Sequence, residues 1–123
     1  MSLKLVFEEK IALINKELDE AFDKKKKGEK FDFDDLDRKC QSIFGYGPPD
    51  QKILEALQKM DKTYGHAEKE CEVLKWVNDN LDKDLKYILL ESFKIMKRYN
   101  EILDRTDHFE YKEQKRWVEL LEK

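Results

Sequence analysis

The sequence predicts an all-α fold, a compact helical bundle of about five helices built on a long antiparallel helical hairpin. Three observations carry that expectation. Apolar residues recur at alternating steps of four and three through Ile53, Leu57, Met60, Tyr64, Ala67, Cys71 and Leu74. A second run follows at Leu85, Leu89, Phe93, Met96, Tyr99 and Leu103, beyond the polar stretch Asn78-Asp79-Asn80. No segment of comparable length alternates with the period of two that a half-buried strand requires.

Composition sets the frame for these helices. A chain of 123 residues suits a single domain, 1–123, able to bury about two-thirds of the surface its unfolded form exposes. Charged residues make up 43% of it, against about 25% in an average domain. Leu, Ile, Val and Phe still supply 33 of the 123 residues, above the level of about 20% at which chains stay disordered. The charge therefore belongs on the outer faces of helices whose inner faces are apolar. With 25 basic and 28 acidic residues the chain lacks the global positive field that nonspecific nucleic-acid binding uses, so the balance disfavours nucleic acid as a partner. Abundant Lys and Glu with few Asn and Gln give a thermophile-like composition. No basic, apolar leader pattern and no apolar run of about 20 residues is present, which leads to the expectation of a cytoplasmic protein without a membrane partner.

The first helix is expected over about 4–24, where Phe7, Ile11, Ile14, Leu18 and Phe22 form an apolar stripe. It runs out in four lysines and Gly28, cations suiting the negative helix end and Gly the left-handed cap. A shorter helix over 33–44 follows, with Asp32 or Asp34 as its cap, Phe31 and Phe33 at its start, and Leu36, Cys40, Ile43 and Phe44 on one side. Gly45, Gly47, Pro48 and Pro49 then exclude regular structure. The apolar seams place long helices over about 50–77 and 81–104, with Gly65 the one irregular point of the first. Asp107 and Glu110 have capping-box spacing for a last helix over about 107–122, carrying Phe109, Trp117, Leu120 and Leu121.

The residues that carry chemistry point weakly away from catalysis. Cys40 and Cys71 are isolated and read as small buried apolar groups, not as a metal array. His66 and Glu70 lie one turn apart and read as a surface polar pair; no second His is near enough in sequence to complete a metal site. Glu68 and Glu72 on one long helix, and Glu101 and Asp104 on the next, form two one-turn carboxylate pairs of the kind that can share Mg2+ with a phosphate substrate. In this respect the chain resembles the all-α nucleotide pyrophosphohydrolases, whose EExxE and ExxD motifs bind magnesium. That resemblance implies Glu68, Glu72, Glu101 and Asp104 as metal ligands, although the adjacent glutamates of the first motif are missing. Lys94, Lys97 and Arg98 with Tyr99, and Lys112, Lys115 and Arg116 with Trp117, offer the alternative of a small nucleic-acid-associated subunit.

The leading expectation is a noncatalytic interaction module or complex subunit, without a cofactor or metal, that meets a protein partner or a second copy of itself as a homodimer through helix faces. Tyr46, Pro48 and Pro49 in the rigid loop, and Trp117 on the last helix, are its candidate contact residues.

Overall fold

In the computed structural model, residues 3–30, 32–45, 51–63 and 65–123 are described, apart from the side chains of 3–4 and 40–45. They form six helices: α1 (Leu3–Lys26), α2 (Phe33–Gly45), α3 (Gln51–Thr63), α4 (Ala67–Asn80), α5 (Lys83–Ile102) and α6 (Phe109–Leu121). Among the described residues there is no strand, and no helix is long and apolar enough to cross a membrane. The all-α bundle expected from the apolar periodicity is the fold the chain adopts.

Helix α1 buries Phe7, Ile11, Ile14, Leu18 and Ala21, a continuous four-three stripe. Ala21 takes the last inward position expected for Phe22. A second consecutive step of four carries Phe22 to the flank of the stripe, where the Lys26 ammonium lies 4.5 Å from its ring centroid. The helix ends as expected at Gly28, whose φ of +73° lets its N–H reach the Lys25 carbonyl (3.1 Å) while Glu29 N–H reaches Lys24 (2.8 Å). Asp32 caps α2 by accepting from Asp35 N–H at 3.0 Å. Phe33 is exposed instead of stapling the helix start to the core.

The expected helix over 50–77 is two helices. Gly65 adopts φ +83° and His66 N–H bonds back to the Thr63 carbonyl at 3.0 Å, so the chain turns where a helix would need φ near −63°. Lys59 of α3 then stands 5.2 Å from the Trp76 ring centroid of α4, which shows the two helices folded against each other. The break also changes which residues face inward. Glu70, Val73, Val77 and Leu81 are buried, whereas Ala67 and Cys71 are exposed. Cys71 is therefore a surface thiol, contrary to its expected place in the seam. The larger apolar area of Val73, Val77 and Leu81 explains the preference.

Asp82 caps α5 by accepting from Leu85 N–H at 2.9 Å. The helix is the centre of the bundle, pairing extensively with α1 and α6 and burying Ile88, Leu89, Ser92, Phe93, Ile95, Asn100 and Ile102. Ion pairs fix the directions of its neighbours. Lys94 meets Glu122 (3.2 Å) and Asn100 donates to Gln114 (2.7 Å), so α6 runs antiparallel to α5. Arg98 pairs with Asp19, and Lys25 with Asp104, so α1 runs parallel to it. Lys39 of α2 in turn reaches Glu17 of α1 at 3.1 Å. At its start α6 departs from expectation: His108, not Asp107, takes the cap position without a side-chain hydrogen bond, and Phe109 is 64% exposed.

Candidate functional site

The sequence-derived candidates that the structure describes do not gather into one site. Tyr46, Pro48 and Pro49 lie outside the described residues. Trp117 is 1% exposed and belongs to the core, a correction to its expected role as a surface contact. The inward face of α6 carries it with Val118 and Leu121, because these three share one side of a helix whose remaining positions are mostly Glu, Lys, Gln and Arg. Glu68 and Glu72 are exposed on α4, Glu101 pairs with Lys97 at 3.3 Å, and Asp104 pairs with Lys25 at 2.5 Å. Among the described residues no three His, Cys, Asp or Glu side chains are grouped to hold a metal ion, so these four carboxylates do not converge. Asp104 has a structural task instead. It adopts φ +57° at the end of α5, where its N–H bonds to Glu101 (3.2 Å) and Arg105 N–H bonds to Asn100 (2.8 Å), the paired hydrogen bonds of a left-handed helix cap.

The basic candidates are largely absorbed by neighbouring carboxylates. Lys94 contacts Glu91 and Glu122, Lys97 contacts Glu101, Arg98 contacts Asp19, and Arg116 contacts Glu70. Lysines 25 to 27 are engaged as well: Lys25 with Ile102 and Asp104, Lys26 with the Phe22 ring, and Lys27 with Asp23. Burial opposes the charge on Lys94, but the Glu122 and Glu91 carboxylates outweigh it and hold its ammonium above the usual lysine range.

A groove that no motif announced lies between α3, α5 and α6. Leu57, Phe93 and Met96 contribute apolar surface, Gln58 and Gln114 polar amides, and Asp61, Glu110 and Glu113 three carboxylates, around a cavity volume of about 360 Å3. Each helix supplies its residues at one-turn spacing: Leu57 and Asp61, Phe93 and Met96, Glu110 and Glu113. Gln114 is held in place by the amide of buried Asn100, which donates to its Oε1 at 2.7 Å. Among the described residues no basic side chain pairs with Asp61, Glu110 or Glu113. The Glu113 carboxyl is consequently pushed up to about 7, first by burial and then by the negative charges of Asp61 and Glu110. A carboxyl near neutrality beside apolar surface is the electrostatically least satisfied acid of the groove, and a cation would satisfy it.

The sequence held half of this signal. Leu57, Phe93 and Met96 lie in the two seams, but the ordinary reading of a seam is complete self-packing. Asp61, Glu110 and Glu113 come from two helices, α3 and α6, that are distant in sequence, and neither helix's own periodicity encodes their approach. The chain matches no protein-family model, and no curated protein or solved structure is similar to it.

Proposed function

We propose that the protein is a small noncatalytic interaction module, an adaptor or complex subunit whose working surface is the groove between α3, α5 and α6. The observation that supports this reading is the groove itself: half-buried Leu57 and Met96, with the edge of buried Phe93 behind them, line it beside polar and acidic side chains. Apolar area buried by a partner supplies affinity, and the surrounding polar groups supply orientation. The reading moves the expected contact surface away from Trp117, which is committed to the core.

Photocrosslinking tests it directly. A photoreactive side chain replacing exposed Gln58, in the groove, is compared in cells with one replacing Glu9 on the outer face of α1. Discrete, reproducible adducts from position 58 and none from position 9 are expected. Equal labelling at both positions, or none at 58, would overturn the assignment.

A further inference from the structure

The open carboxylates of the groove specify what should fill it. Where acids lie between packed helices elsewhere in the bundle, five have a basic partner on the neighbouring helix: Asp19 with Arg98, Glu17 with Lys39, Glu70 with Arg116, Asp104 with Lys25 and Glu122 with Lys94. Against that background Asp61, Glu110 and Glu113 form an unneutralised arc beside apolar surface. The groove is partly open to solvent, with Gln58, Asp61 and Glu110 exposed at its edge, whereas small-molecule sites enclose most of their ligand's surface. Its shape therefore suits side chains projected from another chain.

We propose that the groove docks a basic amphipathic helix of a partner protein, seating an apolar side chain against Leu57, Phe93 and Met96 while a neighbouring Lys or Arg reaches Asp61, Glu110 and Glu113. A helix meets both requirements at once, because residues three and four apart share a face and lysine stems lie along apolar surface while their ammonium groups extend beyond it. The acidic rim also disfavours acidic helices by like-charge repulsion, which gives the surface selectivity.

The groups facing Glu113 make docking proton-linked. Asp61 faces it from α3 and Glu110 from its own helix, while α5 contributes uncharged Phe93 and Met96 and the amides of Gln58 and Gln114 complete the rim. A cation docking here lowers the Glu113 carboxyl from its position of about 7 and expels its proton, so affinity rises with pH through neutrality.

This inference rests on the interaction-module reading but fails separately from it. The probe is a synthetic helical peptide of Leu and Lys at amphipathic spacing, compared with versions carrying Glu for Lys or Ser for Leu, using amide chemical-shift mapping of the full chain. The Leu/Lys peptide should perturb residues 57–61, 93–96 and 110–114, and the other two should bind at least about tenfold more weakly. Asp61→Asn and Glu113→Gln should each weaken binding several-fold near pH 8, whereas Glu9→Gln and Asp79→Asn, on other surfaces, should leave it unchanged. Equal binding of the Glu peptide, shifts outside the groove, or indifference to both groove substitutions would overturn the proposal. So would sedimentation showing a dimer dissolved by the groove substitutions, since the occupant would then be a second copy. Crosslinking at position 58 to a partner that lacks a basic helix would remove this inference and leave the interaction reading standing.

Discussion

Arg116 Nη2 lies 2.8 Å from Glu70 Oε2, an ion pair that joins α6 to α4 with the carboxylate buried and the guanidinium partly open to solvent. Among the described residues, Glu70 Oε1 and the indole N–H of Trp117, one residue from Arg116, are both buried without hydrogen-bond partners. A buried carboxylate in this state depends heavily on its one cation. Arg116→Met should therefore destabilise the fold by about 2 kcal/mol, because it strands the charge of Glu70. Adding Glu70→Leu should recover much of the loss, since an apolar pair of similar size needs no desolvated charge. Urea denaturation of the two single variants and the double variant measures the coupling; strictly additive losses would show that the pair contributes nothing.

Gly65 gives a test whose sign decides the backbone conformation. In a continuous helix, replacing Gly by Ala stabilises by about 1 kcal/mol. At φ +83° the same substitution forces an L side chain into the left-handed region, and Gly65→Ala should instead destabilise by about 1 kcal/mol. A Cβ there would meet nothing within 4 Å, so strain alone sets the effect. A raised melting temperature for Gly65→Ala would mean that α3 and α4 are one helix.

What the sequence disclosed and what it hid divide at this glycine. Up to Met60 the spacing places Ile53 and Met60 inward and leaves Leu57 half-buried at the groove, and α1 follows its stripe to Leu18. Beyond Gly65 the four-three rhythm continued through Ala67 and Cys71, but these small side chains offer less area than Val73, Val77 and Leu81. Periodicity alone weighs the two sets equally, and so it carried the wrong face across the break. Glu70 was hidden for the same reason, since a carboxylate on the polar side of one phase becomes a core group in the other. Trp117 was legible as an apolar member of the last helix, and its burial is the ordinary outcome for so large a side chain.

The lysines at the end of α1 should differ sharply in worth. Lys25 Nζ donates to the Ile102 carbonyl at 2.8 Å and pairs with Asp104, linking the C-terminal ends of two parallel helices. That carbonyl belongs to the last turn of α5, where the helix itself supplies no donor. Lys25→Met should cost about 1 kcal/mol, whereas Lys27→Met, which removes an exposed pair with Asp23, should fall within about 0.5 kcal/mol. Thermal melts of the two variants separate a structural lysine from a solvated one. Equal effects would indicate that the run acts through charge density alone.

Glu113 should make the fold less stable as the solution becomes more alkaline through neutrality. Its carboxyl sits at about 7 in the folded chain against an ordinary value of 4.5, raised first by burial and then by Asp61 and Glu110. Between those two values the folded state holds a proton that the unfolded state has released, so stability falls as pH rises across that window and the full penalty is present above it. Solvent reaches a side chain that lines an open groove, and with that screening the penalty is about 1 kcal/mol near pH 8. Glu113→Gln keeps the side chain's size and removes the ionisation, so it should stabilise the protein by about that amount near pH 8, with the gain fading as pH falls toward 4.5. Urea midpoints for both proteins across this range read the difference directly. A gain independent of pH would assign the effect to packing, and no gain at any pH would mean that the carboxyl titrates as an ordinary surface acid.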